Sequence, residues 1–266
     1  MTIRIQDVQV QDILFSKLAD SPYITSQKVS LISYKQHRQK LLAQTPEFIT
    51  ETYGIPKEGP FYNTVKSRAF YKLPFCHDKR QFPDEVNYDA IQVFYKKLQE
   101  IDAHVGSEAF RMELFGEKNA KKYEYQPLVR MPEEDDAPPT AANGKVYYRP
   151  PYTKVKLDLS YDTDEPRFRL YEKTDDHKTE VQLKTFDDVL QHMRYLTKHR
   201  MVIQFARLYA MKNSTGSEKK KYGIILKAFA VECSNKNRRN IDVNDEDMFL
   251  DLLVIHRFKD NWCIIL

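Results

Sequence analysis

Glycine is scarce in this sequence: among 266 residues there are seven glycines, one tryptophan and three cysteines. The spacing of Gly54 and Gly59 matches a phosphate-binding loop, but Pro60 and Phe61 follow where that loop needs Lys and Ser or Thr. The other glycines are too dispersed to form such a loop. The sequence also lacks any catalytic signature, so we expect a binding protein rather than an enzyme, with no cofactor.

The cysteines and the apolar residues exclude further classes. Cys76, Cys233 and Cys263 form no C-x-x-C pair for zinc or dithiol chemistry, and scattered thiols are typical of a reducing compartment. Residues 1–20 lack the apolar core of a secretory signal. No stretch approaches the roughly 18 apolar residues of a membrane span. We therefore expect a soluble cytoplasmic protein without stable membrane anchoring.

What the sequence does contain is aromatic rings and two basic segments. There are 17 Tyr and 15 Phe, and the formal net charge is +4. Residues 1–80 carry 12 basic and 7 acidic side chains, and residues 146–233 carry 17 and 12, so each segment has a net charge of +5. This distribution permits a polyanionic partner.

The chain divides at residues 133–149, where acids, prolines and small residues predict a linker. Residues 1–132 are predicted to form an α+β region. In it, residues 61–75 are expected to form a basic strand, and apolar residues at helical spacing from Ile91 to Val105 predict a long helix. Residues 150–233 are predicted to form a second domain, and residues 234–266 a tail that packs on the body or on a protein partner.

Residues 150–233 predict three strands, a helix and two strands. Alternation places Val155, Leu157, Leu159 and Tyr161 on the inner face of the first strand. Thr185 and Asp188 predict the start of the helix, and residues 200–212 and 222–233 are long apolar strands. This is the element order of an OB-fold. The predicted fold class is thus α+β, with a C-terminal five-stranded OB-like β-barrel that has a helix between strands 3 and 4.

OB-folds bind oligonucleotides on the face of strands 2 and 3 and on flanking loops. Lysine and arginine neutralise phosphates, while rings stack on bases. The candidate nucleic-acid-binding residues share a predicted position on the outer strand faces or in the basic loop: Lys154, Lys156, Arg167, Arg169, Tyr171, Lys184, Lys219, Lys220 and Lys221. The N-terminal residues Lys66, Arg68 and Tyr71 are expected to extend the same groove, or alternatively to form a basic edge strand.

The sequence contains two further candidate sites, one for a metal ion and one for a lipid. Asp158, Asp162 and Asp164 lack the glycine and later glutamate of a Ca²⁺ loop, so we expect no metal site. The last four residues, beginning with Cys263, have the C-a-a-X form of a prenylation signal. The acidic upstream sequence lacks the second signal that stable anchoring needs, so a buried or partner-bound tail is the preferred interpretation.

The second half resembles the single-stranded DNA-binding proteins of nucleocytoplasmic large DNA viruses. The similar stretches are PPYTKVKLDLSYD (150–162), KTFDDVLQHM (184–193) and YGIILKAFAVE (222–232). The resemblance implies sequence-independent binding of single strands during viral DNA replication, in the host cytoplasm or virus factory. The alternative is a structural or scaffolding protein of a virion or complex that has no nucleic-acid activity. Both hypotheses are compatible with self-association of the protein.

Overall fold

The computed structural model describes residues 2–49, 54–75, 87–132, 150–174, 177–194, 197–214 and 219–234. The predicted linker at 133–149 and the tail after Ser234, including Cys263, lie outside these ranges. Residues Met1–Lys236 form one compact unit. None of the described helices has the length and hydropathy needed to cross a membrane.

The fold is α+β. Its strands are β1 (Thr2–Arg4), β2 (Ile13–Phe15), β3 (Ala19–Asp20), β4 (Gln27–Tyr34), β5 (Leu42–Ile49), β6 (Phe70–Pro74), β7 (Tyr123–Gln126), β8 (Tyr152–Lys156), β9 (Arg169–Lys173), β10 (Lys178–Val181), β11 (Lys198–Met211) and β12 (Lys220–Ser234). Its helices are α1 (Val65–Arg68), α2 (Tyr88–Val105), α3 (Glu108–Phe115), α4 (Glu117–Ala120) and α5 (Phe186–His192). Two 3₁₀ turns, Ile5–Asp7 and Val10–Asp12, separate β1 from β2.

Strands β11 and β12 form the antiparallel centre of one mixed sheet. The edge of β11 that faces away from β12 pairs with β5 and β4, both antiparallel. The edge of β12 that faces away from β11 pairs along its length with β7, β8 and β9, all parallel. Strand β6 pairs with β8, β10 with β9, β1 with β5, and β2 and β3 with β4.

The sheet is open, which corrects the predicted barrel. The expected element order is present, since β8, β9, β10, α5, β11 and β12 follow one another. A barrel would require these five strands to close on each other. Within the described residues, β8 instead pairs with β6 and β11 pairs with β4 and β5, all from before residue 133. The strands of both halves therefore share one sheet, and the OB-fold is not confirmed.

Helix α2 covers the inner face of the sheet. Its residues Ile91, Phe94, Leu98, Ile101 and Val105 are all buried at the predicted helical spacing. Phe94 packs between the rings of Phe48 and Phe75, at 5.9 and 5.5 Å. The Tyr222 hydroxyl donates to the Val105 carbonyl at 2.7 Å, which ties the end of α2 to β12. On the opposite, outer face of the sheet, the described residues include exposed side chains such as Lys156 and Arg169.

Local sequence explains where predicted elements were confirmed and where they were wrong. Thr185 and Asp188 form the predicted capping box of α5. Residues 61–75 are not one strand, because a second capping box, Thr64 with Ser67, starts the short helix α1 before β6. The first strand of the second half ends at Lys156 rather than Tyr161, because the Ser160 amide donates to the Glu165 carbonyl and closes a turn.

Candidate nucleic-acid interface

The pairing of β6 with β8 brings the two basic segments of the sequence into contact. Strand β6 belongs to the N-terminal segment and β8 to the C-terminal one, and they are joined as antiparallel neighbours from Phe70 opposite Lys156 to Pro74 opposite Tyr152. Lys72 and Lys154, which are 82 residues apart in sequence, are therefore adjacent on one surface.

A row of outward side chains crosses four strands of the sheet. In register, Phe70 of β6 lies beside Lys156 of β8, then Lys227 of β12, then Gln204 of β11. The adjacent row is Tyr71, Val155, Leu226 and Phe205, all buried. Because neighbouring residues of a strand point to opposite faces, the first set lies on the outer face. At about 4.8 Å per strand, this cross-strand row extends about 14 Å.

Rings and lysines alternate beside the cross-strand row. Lys72 of β6 is directly opposite Lys154 of β8. The Lys154 amine lies 4.7 Å from the ring centre of Phe70, and the Lys72 amine lies 4.9 Å from that of Tyr152. Such cation–π contacts favour an ammonium group over an aromatic face. This surface therefore combines positive charges with half-buried rings, each of which has an ammonium group over one face.

The cations of the row crowd one another. The pKa of Lys156 is lowered, first by partial burial and then by the positive charges of Lys227 and Arg207, while Asp158 acts in the opposite direction. Asp158 also forms an ion pair with Lys227 at 2.9 Å. One carboxylate thus faces three cations. A bound phosphate would relieve the repulsion that remains.

The predicted residues of β9 lie on the same face, nearer the end of β12. Arg169 and Tyr171 pair with Ala230 and Glu232. The Lys178 amine lies 4.5 Å from the Tyr171 ring and 2.9 Å from the Glu232 carboxylate, which also pairs with Arg200. Burial alone would raise the pKa of Glu232, but Lys178 and Arg200 together lower it. This end is consequently closer to neutral than the cross-strand row.

The remaining residues predicted in the second half are dispersed. Arg167 is exposed and donates to the Ser160 hydroxyl at 3.3 Å. Lys184 is exposed just before α5, where its backbone amide donates to Asp188. Lys219 precedes β12, and Lys220 and Lys221 begin it. Lys221 is six residues from Lys227, or about 20 Å along the strand.

Of the three N-terminal candidates, none lies in the cross-strand row. Tyr71 has no exposed surface and packs against the His199 ring at 4.7 Å, so its ring cannot stack on a base. Arg68 donates to the Pro56 carbonyl at 3.0 Å and is largely covered. Lys66 donates to the Tyr161 carbonyl at 2.8 Å and lies 3.3 Å from Asp164. Arg68 and Lys66 therefore stabilise the local structure around them.

Three surface residues are not among the candidates predicted from the sequence. Tyr161, predicted to point inward, is 81% exposed beyond the end of β8, and Phe61 is 90% exposed. Lys227 was overlooked because residues 223–231 are otherwise apolar. A single lysine within such a run was the available signal, since its position on a central strand requires it to face outward.

The described residues contain no group of three or more His, Cys, Asp or Glu side chains that could hold a metal ion. Two of the aspartates weighed for a metal pair with lysines instead, Asp158 with Lys227 and Asp164 with Lys66. Their carboxylates therefore contribute to the electrostatics of the basic surface.

No protein-family model matches the chain. The chain is similar to an uncharacterized protein, R505, of Acanthamoeba polyphaga mimivirus, with 26% identity over 215 residues. The match covers 73% of this chain and 51% of R505, so the chain spans about half the length of that relative. The similarity indicates an origin among the nucleocytoplasmic large DNA viruses, while membership of a single-stranded DNA-binding family is not confirmed.

Proposed function

We propose that the protein binds single-stranded DNA without sequence preference, as part of viral DNA replication. The observation that carries the proposal is the cross-strand row together with Lys72 and Lys154, where the two basic segments meet around partly exposed rings. A single strand needs both kinds of group, since cations neutralise its phosphates and rings stack on its bases.

The sheet surface favours stacking over base-edge recognition. The row supplies ammonium groups, one amide and aromatic faces, and stacking tolerates every base because each has a π-face. OB-folds also bind strands across a sheet face, and the element order here is the same. An open sheet can serve this mode of binding, so the proposal does not depend on a closed barrel.

The test is fluorescence anisotropy with a labelled 30-nucleotide oligothymidylate at low salt. The variant Lys154→Gln, Lys156→Gln, Lys227→Gln should bind at least tenfold more weakly than the wild type. If each lysine contacts one phosphate, the slope of log affinity against log salt should fall by about 2, at roughly 0.7 per contact.

A matched control replaces Lys17, Lys40 and Lys96 by Gln. These three lysines are exposed on other parts of the molecule, so the control makes the same change in net charge. It should retain wild-type affinity and salt dependence. Absence of wild-type binding at low salt would overturn the proposal, and equal weakening by both triple variants would reduce it to general charge attraction.

A structural role in a virion is the alternative. Leu31, opposite Arg207 in the β4–β11 ladder, is 64% exposed, which would suit a protein interface. Finding the protein in stoichiometric amounts in purified particles, together with no affinity for DNA, would favour this role.

A further inference from the structure

A second group of lysines surrounds the start of β12. It comprises Lys118 of α4, Lys121 and Lys122 just after α4, Lys219 just before β12, and Lys220 and Lys221 at the start of β12. The Lys220 amide donates to the Lys122 carbonyl at 2.8 Å, and β7 then pairs with β12 from Tyr123 opposite Lys220. The two lysine triplets are therefore adjacent, and we call them the lysine cluster.

The lysine cluster carries a local excess of positive charge. Residues 117–124 and 218–221 contain six lysines and three glutamates. Lys118, Lys121 and Lys122 are exposed, and none of them forms an ion pair within the described ranges. Lys122 instead donates to the Asn119 side chain at 3.0 Å. These three lysines therefore add positive charge to the described surface of the molecule.

A track of suitable side chains connects the lysine cluster to the cross-strand row. Lys221 and Lys227 are an even number of residues apart on β12, so both point to the outer face. Between them on that face, Gly223 lies opposite Tyr209 of β11, and Ile225 lies opposite Arg207. This track offers a ring, a cation and an apolar side chain, and none of its residues is acidic.

We infer that one polynucleotide strand occupies both sites, running along β12 from the cross-strand row to the lysine cluster. The inference rests on the proposed function and adds a requirement for ligand length. Lys221 and Lys227 are about 20 Å apart, which corresponds to about six nucleotides at the 3.4 Å rise of a stacked strand. The ligand is thus an extended strand rather than a short oligonucleotide, and the lysine cluster is its second phosphate site.

The test measures anisotropy with oligothymidylates of 4, 8, 12 and 16 nucleotides. Wild-type affinity should rise steeply between 4 and 12 nucleotides and then level. The variant Lys118→Gln, Lys121→Gln, Lys122→Gln should bind the 16-mer about tenfold more weakly, with a salt slope lowered by about 2. It should bind the 4-mer as the wild type does, so its length dependence should be nearly flat.

Two further variants separate the explanations. The triple variant at Lys154, Lys156 and Lys227 should weaken binding at every length, and the Lys17, Lys40, Lys96 control should change nothing. Two results would overturn the inference and leave the proposed function intact. In the first, the Lys118, Lys121, Lys122 variant binds oligonucleotides of all lengths equally more weakly; in the second, it binds the 16-mer as the wild type does. Failure of the wild type to bind the 16-mer overturns the proposed function itself. Lys118, Lys121 and Lys122 are exposed, so their variant should unfold thermally as the wild type does, and the same measurement verifies the fold of each other variant.

Discussion

His199 is a fully buried histidine on β11, stacked on Phe48 and in edge contact with Tyr71. Its Nδ1 lies 3.3 Å from the Thr197 carbonyl, which can only accept, so Nδ1 carries the proton of the neutral ring. Burial lowers the pKa of His199 to about 4, although the Thr197 contact acts in the opposite direction. Its cross-strand neighbour Cys233 stays a thiol, because burial raises the pKa of Cys233 to about 12.

This burial predicts a loss of stability in mild acid. The unfolded histidine takes up a proton near its ordinary pKa of 6.5, whereas the folded one does so only near 4. Protonation of His199 therefore costs no stability above pH 6.5. As the pH drops towards 4, the free energy of unfolding falls by about 3 kcal/mol, because each unit of the pKa difference is worth about 1.4 kcal/mol. The measurement is the free energy of unfolding in urea at several pH values across this range.

Two variants assign the effect to His199. His199→Phe keeps an aromatic ring in this apolar site and should flatten the pH dependence between 6.5 and 4. His37→Phe removes an exposed histidine and should leave that dependence unchanged. An undiminished loss of stability in the His199 variant would show that other groups are responsible.

The phase of a strand decides which of two adjacent aromatic residues can bind a ligand. Residues 70–73 read FYKL, and both rings are compatible with either face. Tyr71 and Leu73 are fully buried, and this alternation places Phe70 and Lys72 on the outer face. Tyr71 is among the predicted binding residues because the basic and aromatic sequence alone does not show which alternate residues of this strand face the core.

At the scale of elements, the β6–β8 ladder contains a like-charged pair, Lys72 opposite Lys154. Lys154→Glu places a carboxylate opposite Lys72 and removes the Lys154–Phe70 contact, two effects of opposite sign that are each about 1 kcal/mol or less. We therefore expect the free energy of unfolding in urea to change by less than about 1 kcal/mol, while binding to single-stranded DNA weakens. A fall in both stability and binding would indicate that the lysine is structural.

Elements of the second half were predicted more accurately than their pairing. Helix α5 has a capping box, and β11 and β12 are long enough for their apolar character to be unambiguous. Pairing depends on contacts that no local pattern encodes. The alternating residues of β8 do not show that it pairs with β6, which lies about 80 residues earlier, rather than with β9. The sheet is open because β8 pairs with β6.

At the scale of the whole molecule, the sheet joins residues on both sides of 133–149. Hydrogen bonds link β6 to β8, β7 to β12, and β4 and β5 to β11. The buried apolar residues of both sides also form one cluster. The predicted interface depends on this union, since the cross-strand row takes Phe70 from the first side and its other members from the second.

Cutting the chain tests this union directly. A site for a specific protease inserted within 133–149 should yield two fragments that elute together in size-exclusion chromatography, at the volume of the uncut protein. They should separate only in denaturant, because the shared ladders and core hold them. Separate elution in native buffer would show two independent domains instead.

The central position of β11 and β12 also determines when the sheet can assemble during synthesis. They are the last of the described strands to be synthesised, yet β4, β5, β7, β8 and β9 all pair with them. Phe48, for example, meets His199 about 150 residues later. Because β11 and β12 are made last, β4, β5, β7, β8 and β9 leave the ribosome before the central strands that pair with them exist. Assembly of the centre of the sheet therefore follows translation of residues 198–234, and until then the strand edges that β11 and β12 will cover are exposed and prone to aggregation.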